Sequence, residues 1–260
     1  MKVNKVLVIY KKSKLAEHHK AMKTVFIGLE KCLIEPKFVQ KEKMEPKMLK
    51  NIDLVISVGG DGTFIEASHF IDGDLPMLGV NSDPSTSEGF HTSANRFDFE
   101  KRMEDILTGN FKTKKLARLS AVLNSKKLPL ALNDIYVGSK FHFKASRYLL
   151  NFRGLQEEQK SSGIVFSTGG GSTAWYKSAG GEPFSCEAKE ARFIVREPYC
   201  GRLTRCTVVK DKITEDEIFS IKSKMFDGCI AIDSLRIINF NRGDIGKIKI
   251  SDKHLTTINF

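Results

Sequence analysis

The sequence predicts an α/β domain followed by an all-β domain. In the first hundred residues, short apolar runs typical of buried strands alternate with longer runs typical of helices. After about residue 110 the chain consists of short β-rich runs separated by turn residues. The first pattern indicates a doubly wound, mostly parallel sheet, and the second indicates a β-sandwich or folded sheet. We therefore predict domains over residues 1–110 and 111–260.

The elements of the first domain follow in order along the chain. KVLVIY predicts a strand, LAEHHKAMKTVFIGLEKCL a helix, KFVQKEK a short strand and DLVISV a further strand. A glycine-rich turn and a helix come next, and PMLGVNS then predicts another strand. FDFEKRMEDILTGNF predicts a helix that Gly109 ends. The order is that of successive βα units in a parallel sheet.

The second domain is predicted from its short strands. The runs are LARLSAVLNS, LALNDIYVGS, RYLLNFRG, GIVFSTGG, RFIVREP, EIFSIKSK, GCIAID, LRIINF and GKIKISD. Turn residues separate these runs, as in sandwiches whose strands are joined by tight loops.

The overall charge indicates an anionic partner. Lysine and arginine number 42 against 31 aspartates and glutamates, a formal net charge of +11. Nucleotides, polyphosphate, nucleic acid and acidic membranes are the candidate partners, and a soluble lysine-rich surface is the alternative. The charges are scattered rather than gathered in one tail, so we predict no nucleic-acid partner. No apolar run reaches the roughly 18 residues of a membrane-spanning helix, and we expect neither a membrane partner nor a signal peptide.

Cysteine and histidine usage predicts no metal centre. The five cysteines form no Cys-x-x-Cys pair and their number is odd, so we expect free thiols in a reducing compartment. The six histidines show no metal-ligand spacing. His18 and His19 are expected on the surface of the first helix. No protein ligands to a metal are predicted.

The stretch VISVGGDGTFIEA, residues 55–67, places three glycines around Asp61 where a strand becomes a helix. Ligands bind at the carboxyl ends of strands in open α/β sheets. Glycines there let the backbone approach a phosphate, and the helix N-terminus adds partial positive charge. A carboxylate repels phosphate, so Asp61 is predicted to orient a hydroxyl or accept its proton. The alternative is a tight turn in which Asp61 only caps the helix.

Two further stretches contain groups suited to a base or a ribose. LGVNSDPSTSEGFHTS, residues 78–93, is a loop in which Phe90 can stack on a base or simply pack. ALNDIYVGS, residues 131–139, places Asn133 beside Asp134 before an apolar strand. An amide and a carboxylate suit a ribose diol, whereas an ordinary turn is the alternative.

The last stretch combines glycines, hydroxyls and an indole. In QKSSGIVFSTGGGSTAWYKSAGG, residues 159–181, a strand ends in a glycine triplet, and Ser172, Thr173 and the sole tryptophan, Trp175, follow. These groups suit a pocket for a phosphate and a flat ring. A flexible glycine loop without function is the alternative.

Taken in order, the four stretches resemble the NAD kinase family. The matching segments are GGDGT, GVN…EGF, ALND and STGGGSTAW, and they extend along nearly the whole chain. GGDGT is shared with diacylglycerol kinases, sphingoid-lipid kinases and phosphofructokinases, whereas ALND and ST…STAW distinguish NAD kinases. SSG before the pocket strand, Trp175 where Tyr is commoner, and IVREP near residue 196 resemble the mitochondrial-type branch. The resemblance implies an NAD kinase-like two-domain architecture.

The resemblance also implies an activity and site residues. The γ-phosphoryl of ATP would pass to the 2′-hydroxyl of the adenosine ribose of NAD, giving NADP, with Mg²⁺ arriving on ATP. Asp61 would be catalytic, and Asn133 with Asp134 would hold the nicotinamide-side ribose. The implied phosphate-binding residues are Gly59, Gly60, Gly62 and Thr63. The implied NAD-binding residues are Asn81, Phe90, Asn133, Asp134, Ser162, Thr168, Ser172, Ala174 and Trp175.

The chain departs from the family pattern at several positions. Ser162 stands where an Asp is usual, Tyr176 where an Asn is usual, and Ser234 where a Gly is common. These departures put the corresponding substrate contacts in question. An insertion that some mitochondrial-type members carry before ALND is absent.

The sequence also fits two other functions. GGDGT and a two-domain plan also fit a lipid kinase, and the charge also fits a non-catalytic binding protein for nucleotides or nucleic acid. The sequence does not decide between NAD and NADH, or between ATP and polyphosphate. The resemblance implies a homodimer or homotetramer and a mitochondrial location, whereas the absence of a visible transit peptide favours the cytoplasm.

Overall fold

A computed structural model describes residues 1–71, 73–202 and 206–260 of the chain. The chain forms two compact units, one of residues 1–115 with 254–260 and the other of residues 116–253. This division differs from the predicted one at residue 110, because residues 111–115 and the last seven residues lie in the first unit. The final strand pairs with the sheet of that unit rather than with the β-rich region that precedes it.

The first unit is built on a seven-stranded sheet. Its strands are β1 (Lys5–Tyr10), β2 (Glu35–Gln40), β3 (Leu54–Gly59), β4 (Met77–Asn81), β5 (Ala94–Asn95), β6 (Lys112–Leu116) and the C-terminal β19 (Leu255–Asn259). The order is β2-β1-β3-β4-β19-β6, and β5 also pairs with β4. The pairs of β1 with β2 and β3, and of β4 with β3, β5 and β19, are parallel. The predicted parallel α/β sheet is confirmed.

Three helices belong to this unit: α1 (Ala16–Lys31), α2 (Asp61–Ser68) and α3 (Phe99–Thr108). Short 3₁₀ turns cover Lys41–Lys43 and Pro46–Leu49. Val6 and Val8 of β1 share a core with α1 and α3, while Leu7 and Ile9 point to the opposite face and are also buried. Gly109 ends α3 with φ 85°, as predicted from the sequence.

The second unit contains two six-stranded sheets. One has the order β11-β10-β15-β18-β7-β8, and the other has the order β14-β13-β12-β9-β16-β17. The strands are β7 (Leu119–Leu123), β8 (Lys126–Lys127), β9 (Asp134–Ser139), β10 (Ser146–Phe152), β11 (Leu155–Ser161), β12 (Ile164–Thr168), β13 (Ala191–Val195), β14 (Lys210–Ile213), β15 (Phe219–Ser223), β16 (Gly228–Ile232), β17 (Arg236–Asn239) and β18 (Ile245–Ile250). A single-turn helix, α4 (Trp175–Ser178), follows β12.

One apolar core joins the two sheets of the second unit. Phe219 of the first sheet packs against Phe166 and Phe193 of the other, and Phe152 packs against Phe193, with ring centroids 4.7–5.5 Å apart. Every strand pairing recorded within these sheets is antiparallel. The all-β second region predicted from the sequence is confirmed.

Two expectations about single residue types were wrong. Cys200 and Cys206 form a disulfide, with Cα atoms 5.6 Å apart, so these two cysteines are not free thiols. Cys32, Cys186 and Cys229 are free. His18 is buried rather than on the surface, because it lies on the side of α1 that packs toward the sheet, whereas His19 is exposed. None of the described helices is long and apolar enough to cross a membrane.

Candidate functional site

The glycine-rich turn joins β3 to α2. Two of its three glycines have no room for a side chain, whereas the third has. A Cβ on Gly59 would lie 2.2 Å from Oγ1 of Thr63, and one on Gly60 would lie 2.6 Å from Oγ of Ser87. Close packing therefore explains these two glycines, and the buried Thr63 side chain supports the turn from within. Gly62 is exposed, and a Cβ there would meet no atom within 4 Å. The packing of the chain itself does not require glycine at that position.

Asp61 is held at the start of α2 by two main-chain hydrogen bonds. Its Oδ2 accepts from the N–H of Phe90 at 3.0 Å, and its Oδ1 accepts from the N–H of His91 at 2.7 Å. The His91 ring stacks on Phe64 of α2, with centroids 5.3 Å apart and planes 5° apart. These contacts fix the carboxylate relative to both the helix and the loop. The Phe90 side chain is 47% exposed beside them.

The loop after β4 is shaped by its own polar side chains. Nδ2 of Asn81 donates to the Ser87 carbonyl at 3.0 Å, and its Oδ1 accepts from the N–H of Asp83 at 3.1 Å. Hydrogen bonds from the hydroxyls of Ser85 and Thr86 hold the pKa of Asp83 below its usual value. The buried Asn81 side chain thus has partners within the loop, and its predicted contact with NAD stays a prediction.

In the second unit, Asp233 organises the segment that leads into β9. Its carboxylate accepts three main-chain hydrogen bonds, from Leu132 at 2.7 Å, Asn133 at 2.8 Å and Asp134 at 2.9 Å. The N–H of Asp233 donates in return to the Asp134 carbonyl at 2.9 Å. Asp233, about one hundred positions away in the chain, therefore fixes the backbone bend at Asn133 and Asp134.

Asp134 is a buried carboxyl with an unsatisfied oxygen. It is 6% exposed, and its Oδ1 makes no hydrogen bond to any residue in the described part of the chain. Burial, followed by the neighbouring charge of Asp233, raises the pKa of Asp134 to about 7. A buried acceptor of this kind is costly unless a donor reaches it. The side chain is therefore suited to a ligand hydroxyl.

The glycine triplet after β12 packs against the main chain of the Asn133–Asp134 bend. Oγ1 of Thr168 donates to the Leu132 carbonyl at 2.5 Å, and a Cβ on Gly171 would lie 2.3 Å from the Asn133 carbonyl oxygen. Oγ of Ser172 donates to the carbonyls of Gly169 and Phe184 at 2.8 and 3.0 Å. Thr168 and Ser172 are buried and hydrogen-bonded within the chain. Their side chains hold the loop in place, and Ala174 is exposed at its end.

Trp175 stacks on a tyrosine that the sequence reasoning did not identify. The Trp175 and Tyr136 rings lie 5.2 Å apart with planes 24° apart, and the Arg196 guanidinium lies 5.5 Å from the Trp175 ring centroid. The Tyr136 hydroxyl donates to the carbonyls of Ser139 and Ser162 at 3.1 and 3.0 Å. The structure thus brings Trp175 and Ser162 together through Tyr136. Tyr136 lies two residues after Asp134 on β9, and that spacing is the signal for a shared strand face.

The other two departures from the family pattern are Tyr176 and Ser234. Tyr176 is buried, and its ring lies 6.1 Å from Phe184 in an edge-to-face arrangement. A Cβ on Gly181 would lie 2.3 Å from the Tyr176 ring, so this side chain belongs to the core. Ser234 has φ 56° and follows Asp233 at φ 48°, which are left-handed conformations that favour glycine. Ser234 adopts this conformation although its side chain is not that of glycine.

Comparisons with known proteins give the family. Residues 2–111 match the ATP-NAD kinase N-terminal domain family. The NADH kinase of Arabidopsis thaliana is 31% identical over 257 residues, which cover 90% of this chain and 80% of the relative. A probable NADH kinase of Oryza sativa is 36% identical over 186 residues, which cover 63% of this chain but only 57% of the relative. Human mitochondrial NAD kinase 2 is 24% identical over 319 residues, with 90% of this chain and 71% of the relative covered.

Solved structures share the fold. Yeast NADH kinase, complexed with NADH, gives a TM-score of 0.83 at 16% identity and covers 100% of this chain and 84% of its own. An NAD kinase from Archaeoglobus fulgidus, complexed with ATP, gives a TM-score of 0.78 at 22% identity, with 97% and 92% covered. The resemblance read from the sequence motifs is confirmed: this chain belongs to the NAD kinase family.

Proposed function

We propose that the protein is an NAD kinase that transfers the γ-phosphoryl of ATP to the 2′-hydroxyl of the adenosine ribose of NAD. The observation that carries the proposal is the Asp61 carboxylate, fixed by the N–H groups of Phe90 and His91 at the start of α2. It stands beside the exposed Gly62 in a chain that belongs to the NAD kinase family. The relatives and solved structures named above are NAD or NADH kinases, which favours this function over a lipid kinase or a non-catalytic binding protein.

The turn supplies groups suited to donor phosphates. Gly62 leaves the backbone accessible, and the N-terminal end of α2 carries partial positive charge. Asp61 would orient the attacking hydroxyl or accept its proton. Phosphoryl transfer has a loose transition state in most analyses, so alignment of the two oxygens and neutralisation of charge matter more than a strong base.

The second unit supplies groups suited to the dinucleotide. The unpaired Oδ1 of Asp134 would accept a hydrogen bond from a hydroxyl of the nicotinamide-side ribose, with Asn133 beside it. Trp175 stacked on Tyr136 offers a flat apolar surface, and Ser162 and Ala174 would border it. The contact of Phe90 with NAD, predicted for a residue of the first unit whose ring is 47% exposed, stays a prediction. Thr168 and Ser172 would contribute to NAD binding indirectly, because their hydrogen bonds hold the loop that carries Trp175.

Within residues 1–71, 73–202 and 206–260, no three His, Cys, Asp or Glu side chains are grouped as metal ligands. A Mg²⁺ ion would enter with ATP and take its ligands mainly from phosphate oxygens and water.

NADH is the second candidate acceptor. The Arabidopsis relative is named an NADH kinase and the rice relative a probable one. The nicotinamide ring of NAD is positively charged and that of NADH is neutral, so the site can prefer one of them. The ratio of kcat/KM for NAD to kcat/KM for NADH, measured in parallel assays, shows which acceptor is preferred.

Assembly and location are also proposals. The resemblance to the family supports a homodimer or homotetramer, which light scattering after size-exclusion chromatography tests. The human mitochondrial relative supports a mitochondrial location over a cytoplasmic one. Imaging of the tagged full-length gene product, with a mitochondrial dye and a cytosolic marker, tests that location.

A substrate panel tests the activity. The purified protein is incubated with ATP and, separately, NAD, NADH, a sphingoid base or diacylglycerol, and the products are identified by mass spectrometry. Polyphosphate replaces ATP in a second series, and a labelled oligonucleotide is titrated at physiological salt. We expect NADP or NADPH alone. Phosphorylated lipid, or oligonucleotide binding without any kinase activity, would contradict the proposal.

A further inference from the structure

Exposed phenylalanines are gathered on the loops at one end of the second unit. Residues 140–145 join β9 to β10, residues 224–227 join β15 to β16, and residues 240–244 join β17 to β18, so each loop crosses from one six-stranded sheet to the other. Phe143 and Phe226 are 73% and 79% exposed, and Phe141 is also exposed. None of these residues belongs to the motifs of the site described above.

The first two loops are held together by polar contacts. The N–H of Lys140 donates to the Asp227 carbonyl at 2.9 Å, and Nζ of Lys144 lies 2.7 Å from the Asp227 carboxylate. The same Nζ lies 4.8 Å from the ring centroid of Phe141, whose ring is 5.7 Å from that of Phe143. The phenyl rings and the lysines therefore form one continuous surface.

The third loop completes this surface. The Arg242 guanidinium lies 5.5 Å from the ring centroid of Phe226. A cavity of about 570 Å³ lies between the loops, and its lining includes Lys144, Arg147, Lys224, Phe226 and Arg242. We call the three exposed phenylalanines and the charged residues around this cavity the aromatic–basic patch.

Positive charge exceeds negative charge in the aromatic–basic patch. Its cations are Lys140, Lys144, Arg147, Lys224 and Arg242, and its carboxylates are Glu158 and Asp227, an excess of 5 − 2 = 3. Each carboxylate is paired with one lysine of the patch. Arg147 and Arg242 form no ion pair within the described part of the chain. The two guanidinium groups are therefore available to an anionic partner.

We propose that the aromatic–basic patch docks on an anionic phospholipid surface. Phe143 and Phe226 enter the boundary between headgroups and acyl chains, and the cations around them bind lipid phosphates. The sequence analysis expected no membrane partner because no apolar run is long enough to span a bilayer, but binding at the surface requires no spanning segment. This docking does not depend on the proposed kinase activity.

Two other occupants fit the patch less well. A twofold contact with a second copy would place the same patch on both sides of the interface, so the excess cations would face one another. A single-stranded nucleic acid would stack its bases on the phenyl rings. One face of Phe141 already meets Lys144, and one face of Phe226 meets Arg242, which leaves less of each ring for stacking.

Vesicle flotation with the full chain tests the docking. The protein is mixed with vesicles of phosphatidylcholine alone and with vesicles that also contain phosphatidylserine, each at low and at high salt. We expect binding to the vesicles with phosphatidylserine, and we expect salt to weaken it because the attraction is screened. Absence of binding, or equal binding to both kinds of vesicle, would overturn the proposal.

Single variants locate the contact. Phe143→Ser and Phe226→Ser should each lower the partition coefficient about tenfold, because a phenyl ring no longer leaves water. Arg242→Gln should lower it about fivefold. Phe97→Ser is the matched control, since Phe97 lies in the first unit, is 78% exposed and has the Arg96 guanidinium 4.5 Å from its ring centroid. An equal loss in the control and in the patch variants would contradict the docking face.

Fluorescence measures insertion of the loop itself. Phe143→Trp is made together with Trp175→Phe, so that the only indole lies in the patch. Its emission should shift to the blue on vesicles that contain phosphatidylserine, because the indole enters a less polar region. An unshifted spectrum of vesicle-bound protein would contradict insertion.

The other occupants are tested without vesicles. Light scattering compares the mass of the wild-type protein with that of Phe143→Ser, and a labelled single-stranded oligonucleotide is titrated into the wild-type protein and into Phe226→Ser. We expect the same mass and no effect on the oligonucleotide. A smaller mass for Phe143→Ser would assign the patch to a second copy, and oligonucleotide binding that Phe226→Ser weakens would assign it to nucleic acid. Either result would overturn the proposal.

Discussion

The carboxylate of Asp233 accepts a hydrogen bond from the main-chain N–H of Asp134 at 2.9 Å, and the two carboxyl groups belong to strand ends that are distant in sequence. The side chain of Asp233 supports the backbone, and the side chain of Asp134 keeps one carboxylate oxygen for a ligand. Oδ1 of Asp233 also accepts from Asn133 and Oδ2 accepts from Leu132, so both oxygens face N–H donors. Asp233 is thus a positioning residue for the segment proposed to hold a ribose.

Replacing Asp233 with Asn should disturb that segment. The amide nitrogen of Asn would face a main-chain N–H, so at least one buried hydrogen bond is lost and a cost of about 1–3 kcal/mol in the free energy of unfolding is expected. KM for NAD should rise while KM for ATP changes little. Asp216→Asn, at an exposed position, is the matched control. An Asp233→Asn variant with wild-type stability and wild-type KM for NAD would refute this role.

The raised pKa of Asp134 predicts a pH dependence of stability. Because the folded-state pKa, about 7, lies above the usual value of 3.8, the native state binds more protons than the unfolded state between those values. The free energy of unfolding contributed by this group is therefore greatest below pH 4 and declines as pH rises toward 7, by at most about 4 kcal/mol. Asp134→Asn should remove that decline. Urea unfolding at pH 5 and pH 8 measures it, and an unchanged difference between the two pH values would contradict the assignment.

Asp61→Asn should separate catalysis from folding. We expect kcat to fall by about two orders of magnitude or more, because an amide cannot accept the proton of the attacking hydroxyl. Asn also loses one of the acceptors for Phe90 and His91, so the loop will be less firmly held. Circular dichroism and NAD binding should remain close to wild type. Glu88→Gln, exposed in the same loop, is the control and should retain activity. Asp61→Asn activity within a few-fold of wild type would exclude a catalytic role.

Trp175 provides an optical test of the dinucleotide site. It is the only tryptophan in the sequence, and its ring is partly exposed against Tyr136. NAD should change the intrinsic fluorescence in a saturable way, and ATP should change it less, because a ring placed on the indole alters its surroundings. Trp175→Phe supplies the background signal. Identical spectra with and without saturating NAD would show that the indole only packs.

The local parts of this protein could be predicted from its sequence. Alternating apolar residues indicated β1 and β3, the glycines indicated the turn before α2, and Gly109 indicated the end of α3. Each of these features depends on residues that are close in the chain, so a short pattern carries the information. The ordered motifs were likewise sufficient to identify the family.

Tertiary structure decided the features that join distant residues. The partnership of Asp233 with the Asn133–Asp134 bend, the stacking of Tyr136 on Trp175, and the return of the C-terminal strand β19 to the first sheet all depend on long-range packing. His18 was expected at the surface because helical spacing alone does not show which face of α1 meets the sheet. Local sequence sets backbone conformation through sterics and periodicity, whereas a side chain's burial and hydrogen-bond partners follow only from the elements that pack around it.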